Sequence, residues 1–189
     1  SVEEFHVLPR VREGFRSVEE FIAFAGTVAN RRKSRSGRSL ELHLDHIFRE
    51  AGIPYVRGAV SEGAKRPDFL FPSEYHYRND AYPAEKLRML GAKTTCKDRW
   101  RQILNEADRI RVKHLFTLQE GISETQFREM VDAGVQLVVP ADYKKHYPKT
   151  IQGKLQTLRE FIEECRSLYR DVPVGQQAQL PFSTSPDRR

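Results

Sequence analysis

Cysteine is nearly absent. Cys96 and Cys165 stand far apart, with no CxxC pair and no Cys/His ligand spacing around them. That excludes a disulfide scaffold and a structural zinc site, and it fits a reducing compartment. Long apolar runs are missing as well. None approaches the roughly 18–20 residues that a membrane span needs, and Ser1-Val2-Glu3-Glu4 lacks the basic and apolar regions of a signal peptide. The expectation is a cytoplasmic protein without a membrane partner.

What is present describes a folded chain. Hydrophobic residues are 39% and charged residues 31% of 189, too apolar for wholesale disorder. The length suits one domain, expected over residues 1–171 with residues 1–29 as a helical lead-in. The segment 172–189, rich in Pro, Gln and Ser, reads as a flexible tail. There is no internal repeat. The net charge of +6 hints only weakly at a polyanionic partner, but its distribution says more. Arg31, Arg32, Lys33, Arg35 and Arg38 put +5 into eight residues. Lys86 to Lys113 carries nine basic residues against Asp98, Glu106 and Asp108, so the rest of the chain is net negative.

Apolar periodicity outlines the elements. Ser17 followed by Glu20 marks an N-cap, and Val18, Phe21, Ile22, Phe24 and Ala25 follow at helical spacing. The basic run, with Gly37 inside it, is expected to form a loop. A second helix is then expected through Leu40, Leu44, Ile47 and Phe48, ending at Gly52. Short strands are expected from Ile53 to Val56 and, between two prolines, from Phe69 to Phe71. A polar, tyrosine-rich insertion follows, then a strand over Leu87 to Thr95 and a helix over Lys97 to Ile110. Val112 to Leu118 reads as a strand, Ser123 to Ala133 as a helix and Val135 to Val139 as an apolar strand. One last helix is expected over Ile151 to Tyr169. The fold class is therefore α/β, a central mixed sheet flanked by helices.

The spacing with most chemical content is Arg66-Pro67-Asp68, then twenty-five residues to Lys93, then thirteen to Glu106. Phosphodiester hydrolysis needs a divalent cation to gather anionic oxygens and lower the pKa of an attacking water. Mg2+ prefers one or two carboxylates with water and phosphate oxygens completing its shell, so Asp68 beside a strand is a suitable anchor. Lys93, on the neighbouring strand, can polarise the water and offset phosphate charge. Glu106 follows from the next helix, and Glu41 can approach from the helix near the N-terminus. Taken singly, each is an ordinary turn, helix or surface residue. Their joint spacing argues otherwise.

With SRSGRSLELHLDHIF, RPDFLFPS, LGAKTTCKDRWRQILNEADRI and the strand at QLVVP, the chain from about residue 30 to 169 resembles the EcoRII catalytic-domain family. That family lies in the EcoRII/PspGI/SsoII branch of the PD-(D/E)xK restriction endonucleases. The superfamily's Glu-x-Lys pair is not intact, since Gly91 stands two before Lys93. In this branch the acid has moved to the following helix, here Glu106. The resemblance implies a restriction-endonuclease-like core in a bacterial or archaeal cytoplasm. It implies Asp68 and Glu106 as Mg2+ ligands, Lys93 as the catalytic lysine, Glu41 as a supporting acid and Tyr77 as a tyrosine near the site. It also implies cleavage of double-stranded DNA at CCWGG, where W is A or T, by a homodimer whose genetic partner is a cytosine methyltransferase. Flipping of the central bases follows only as a hypothesis. Family members can carry a further N-terminal effector domain, for which this chain has no room, so it is expected to be a stand-alone nuclease or an excised domain.

For reading DNA, Lys97-Asp98-Arg99 follows the lysine by four to six residues. Arg and Lys donate to guanine O6 and N7, and a carboxylate accepts from cytosine N4. The resemblance implies contact of these three residues with C·G pairs. Arg101 and the run Arg31, Arg32, Lys33, Arg35 and Arg38 are candidate phosphate contacts. His43 and His46 lack a third ligand, and Trp100 is expected in the core. Two other readings remain open: a mismatch or lesion repair nuclease on the same core, and a noncatalytic DNA-binding module.

Overall fold

The structure is a computed structural model that describes residues 2–173; for Val2–His6, Lys33 and Asp98 only the backbone is described. The tail expected over 172–189 therefore lies almost wholly outside the described residues.

Six strands form one mixed sheet in chain order: β1 (Val56–Arg57), β2 (Phe69–Phe71), β3 (Arg88–Lys93), β4 (Lys113–Thr117), β5 (Val135–Val139) and β6 (Gln156–Thr157). The first three pair antiparallel; β3 to β6 run parallel. Alternation along the strands feeds two cores, as the period of two requires. Leu70, Met89, Leu115, Leu137 and Val139 face one side, and Phe69, Phe71, Leu90, Phe116 and Val138 the other. This is the mixed α/β sheet expected from the alternation of strand and helix patterns.

On the second face lie α2 (Val18–Glu50) and α6 (Leu158–Leu168), with Leu40, Leu44, Phe48, Phe161 and Cys165 as their buried stripe. Phe48 is the hub, within 5.2 Å of Phe69 and 5.4 Å of Phe71, both edge-on. Such aromatic contacts add to the burial of the rings themselves. The first face is covered by a 3-10 helix (Lys97–Asn105), α4 (Glu124–Asp132) and α5 (Lys149–Gln152), through Trp100, Ile103, Phe127, Met130 and Ile151. Trp100 is a core residue, as expected.

Three expectations are corrected. The basic run is not a loop. It lies inside α2, a single helix of 33 residues that follows α1 (Val2–Glu13). Ser17 accepts from the Glu20 amide at 3.2 Å and starts α2, no proline interrupts it, and Arg and Lys are good helix formers. Gly26 and Gly37 sit in it with open space around them, at a cost of about 1 kcal/mol each relative to alanine. The helix expected over Lys97 to Ile110 is 3-10 in character and stops at Asn105. The last helix is split: α5 ends at Gly153, the chain pairs as β6 on β5, and α6 begins from a capping box built by Thr157 and Glu160. In the tyrosine-rich insertion, α3 (Glu74–Arg78) adds a short helix that no apolar period announced.

Candidate active site

Asp68 immediately precedes β2, and Lys93 ends the adjacent β3. Antiparallel pairing brings them together. Asp68 Oδ2 accepts from Lys93 Nζ at 2.9 Å and from the Ala92 amide at 2.7 Å. Both side chains are mostly buried, with 17% and 15% of their surfaces exposed. A charged donor and a backbone amide on one oxygen fix the carboxylate plane, and Oδ1 takes no hydrogen bond from the described residues.

Glu106 lies close enough for the charges of that pair to act on it. It is the first residue past the 3-10 helix, with extended backbone (φ −94, ψ 142), and not a residue of the helix itself. Burial, together with the negative charge of Asp68, pushes its carboxyl up to about 7, against the pull of Lys93 and Lys113. Its Oε2 is buried without a hydrogen-bond partner. Glu41, half-buried on α2, is also raised, by burial first and then by Asp68, while Lys93, Arg57 and Arg38 oppose the shift. Asp68 and Lys93 are in contact, and the charges of both act on Glu106 and on Glu41.

A side chain at the position two before Lys93 is excluded sterically. Gly91 lies two before Lys93 and faces the 3-10 helix. A Cβ there would stand 2.7 Å from Ile103 Cγ2. That space is filled by the side chain of Ile103, which stands three residues before Glu106.

These donors fit a hard divalent ion. A buried carboxylate oxygen with no partner, beside a second carboxylate with an open oxygen, is short of positive charge. Among the described residues no three His, Cys, Asp or Glu side chains converge to enclose an ion by themselves. Magnesium does not need that, since it takes one or two carboxylates and keeps water or phosphate oxygens.

Tyr77 is not brought to this group. It is 3% exposed in the core, its hydroxyl donates to Glu62 and accepts from the Arg109 amide at 3.4 Å, and burial raises its pKa. The tyrosine expected beside the chemistry braces a loop instead. Arg109 ties the insertion down from the same place, donating to the carbonyls of Tyr77, Asn79 and Tyr82.

The 3-10 helix that leaves β3 presents Lys97 and Arg99 to solvent. Its first turn is pinned: Gln119 Oε1 accepts from the Cys96 and Lys97 amides at 2.9 and 3.3 Å, and Gln126 Nε2 donates to the Lys97 carbonyl at 2.9 Å. The Asp98 side chain, like that of Lys33, lies outside what is described. Arg101 pairs with Glu129 at 2.8 Å and stacks over Trp100 at 4.4 Å. On α2, at about 100° per residue, Arg38 and Arg31 fall within roughly 80° of Glu41, while Arg32 points to the opposite side and Arg35 between them. The basic run and Glu41 are therefore parts of one rigid rod. Two residues that the sequence did not single out touch the site: Arg57 bears on Glu41, and Lys113 donates to the carbonyls of Glu106 and Ala107. A lysine inside the strand pattern from Val112 to Leu118 was the available signal for Lys113.

The fold has known counterparts. It is similar to that of metal-depleted Ecl18kI in complex with uncleaved, modified DNA, with a TM-score of 0.68 at 24% identity over 82% of this chain and 52% of that one. It is also similar to the restriction endonuclease PspGI in a substrate DNA complex, with a TM-score of 0.64 at 17% identity over 89% and 72%. Among curated proteins, the type II restriction enzyme EcoRII of Escherichia coli is 58% identical over 173 residues, 91% of this chain and 43% of that protein. The type II restriction enzyme SsoII of Shigella sonnei is 27% identical over 149 residues, 74% and 48%. The chain spans less than half the length of these two relatives. The family model described as EcoRII C terminal matches residues 1–162. The chain belongs to the EcoRII C-terminal family.

Proposed function

We propose that this chain is the catalytic domain, over residues 1–171, of a type II restriction endonuclease that cuts double-stranded DNA at CCWGG with Mg2+. The observation that carries the reading is the Asp68–Lys93 contact, whose charges act on Glu106 and Glu41, together with the buried, unpartnered Oε2 of Glu106. The 58% identity to an enzyme named EcoRII supports the reaction class and the site.

Asp68 and Glu106 would hold the ion through the oxygens not already committed. Magnesium bound there supplies a water of lowered pKa and stabilises the leaving oxygen. Lys93, anchored by Asp68, puts its ammonium against the scissile phosphate and its attacking water. Glu41 adds a carboxylate that takes up protons as its charge is opposed by Asp68. Lys97, Asp98 and Arg99 read C·G pairs from the 3-10 helix, and Arg31, Arg35 and Arg38 hold phosphates along α2, with Arg32, Lys33 and Arg101 as further backbone contacts. A palindromic site calls for a two-fold homodimer, each copy cutting one strand. Such an enzyme works in the cytoplasm of a bacterium or archaeon, beside a cytosine methyltransferase that protects the host.

Digestion of a plasmid of known sequence with Mg2+, followed by sequencing of the fragment ends, tests this. Discrete fragments ending at CCWGG are expected. Nicking confined to mismatched duplexes would replace the reading with a repair nuclease, and binding without cleavage would replace it with a noncatalytic module.

A further inference from the structure

The backbone that carries Glu106 lies outside any helix or strand and is tied locally by two bonds, from the Glu106 amide to the Ile103 carbonyl at 3.0 Å and from the Ile110 amide to the Ala107 carbonyl at 2.9 Å. The 3-10 helix has ended, Glu106 is extended, and Ala107 adopts a left-handed conformation (φ 51) that a residue with a side chain rarely takes. Three consecutive residues are further gripped by side chains from other elements. Lys113, at the start of β4, donates through its ammonium to the carbonyls of Glu106 and Ala107. Ser61 Oγ accepts from the Ala107 amide at 3.3 Å, and Glu62 Oε2 accepts from the Asp108 amide at 3.2 Å. Glu62 is in turn held by the Tyr77 hydroxyl.

Lys113 is the centre of this collar. It is 5% exposed, in a strand whose five residues are all buried. No carboxylate lies within ion-pairing distance of it among the described residues, and its donors go to the two carbonyls. An ammonium in such a place costs desolvation, which its bonds to the two carbonyls have to offset. Its position instead matches a demand of geometry: a metal-binding carboxylate must be held to a fraction of an ångström, and here it hangs from a turn with no helix or strand of its own.

We propose that Lys113 is a positioning residue for Glu106, fixing the turn so that the carboxylate meets the divalent ion. The proposal rests on the reading of Glu106 as a metal carboxylate. Removing the ammonium takes away the side-chain donor to the Glu106 carbonyl and leaves the Ala107 carbonyl with the Ile110 amide alone, which lets Ala107 relax from its left-handed conformation and swings Glu106 away from Asp68. Ser61 and Glu62 act on the same turn from the other side, which gives Tyr77 a part in the site at one remove.

Lys113→Met and Glu106→Gln, singly and together in the full chain, test it. Folding is followed by thermal melting and binding by a CCWGG duplex titrated in Ca2+. Single-turnover cleavage is measured across a Mg2+ series. Lys113→Met is expected to melt cooperatively and bind the duplex as the parent does, with a Mg2+ midpoint or cleavage rate worse by about 10- to 100-fold. On top of Glu106→Gln it should add almost nothing, because both changes disable one element. If Glu106→Gln cleaves like the parent, the reading of Glu106 falls and the proposal with it. If Glu106→Gln is inactive while Lys113→Met has the parent's Mg2+ midpoint and rate, only the positioning proposal falls. Losses that multiply in the double variant would also overturn it. If Lys113→Met does not fold, Ser61→Ala decides: a raised Mg2+ midpoint supports the proposal and an unchanged one overturns it.

Discussion

Lys93 Nζ donates to Asp68 Oδ2 at 2.9 Å, and that same oxygen also takes the Ala92 amide. The lysine and the adjoining backbone therefore orient the aspartate as a unit, with one oxygen engaged and the other open. Replacing either member should stop the chemistry while sparing recognition, because the DNA-reading candidates lie on other elements. Lys93→Ala and Asp68→Asn are expected to lower single-turnover cleavage by about 10²- to 10⁴-fold. Binding of a CCWGG duplex in Ca2+ should persist. Parent-like turnover in either variant would remove the pair from the active site.

The carboxyl of Glu106 makes stability depend on pH and, on the proposed reading of it as a metal ligand, should do the same for Mg2+ affinity. Its pKa is raised from 4.5 to about 7 by burial and by Asp68, so the folded protein holds a proton that the unfolded chain releases. The resulting stabilisation is complete below about 4.5 and is lost as the pH rises through about 7. Glu106→Gln should therefore stabilise the protein at pH 8, and the advantage should vanish near pH 4. A gain on the order of 1–2 kcal/mol is expected at pH 8, less than the full shift implies, because the carboxyl is partly solvated. Denaturant melts at the two pH values measure it. Mg2+ competes with that proton, so the Mg2+ midpoint for cleavage should fall between pH 6 and pH 8.

Returning the acid to the superfamily position should fail. A Cβ on Gly91 would meet Ile103 Cγ2 at 2.7 Å in a packed core. Gly91→Ala is expected to cost about 1–3 kcal/mol, and pairing it with Ile103→Leu, which removes that methyl, should recover part of the loss. Gly91→Glu combined with Glu106→Gln should not restore cleavage. Denaturation of the two alanine variants and a digest with the transplanted pair give the result, and an active transplant would refute the steric account.

Arg99 and Arg38 should separate by what they read. Arg99→Ala is expected to cost about 1–3 kcal/mol at one G·C position and to relax discrimination there. Arg38→Ala should weaken all duplexes alike and reduce the salt dependence of binding by about one contact. Titrations on cognate and single-substituted duplexes at several salt concentrations distinguish them. A uniform loss for Arg99→Ala would make it a phosphate contact.

Much of the sheet was legible because its strands are short apolar runs bounded by Pro and Gly, and β5 runs from Val135 to Val139 as its pattern indicates. The irregular pieces were not. Lys97 to Ile110 has helical apolar spacing, but the register that buries Trp100 and Ile103 tightens it to 3-10 and ends it at Asn105. The basic run suggested a loop because Gly37 lies among its five bases. Exposed on a helix they are screened by water, and helix propensity prevails.

The amino-acid sequence by itself determined the chemistry available: two carboxylates and a lysine at a set spacing, a third acid on a helix, and positive charge gathered in two segments. These are properties of residue type and order. Tertiary structure decided which of them meet. Pairing of β2 with β3 joins Asp68 to Lys93, the methyl of Ile103 occupies the space over Gly91, and Glu62 draws the Tyr77 hydroxyl away to a loop. Those outcomes depend on packing between elements distant along the chain, and so does the buried ammonium of Lys113 that holds Glu106 in place. No local pattern encodes a contact whose partners are set by how the sheet and its covering helix pack.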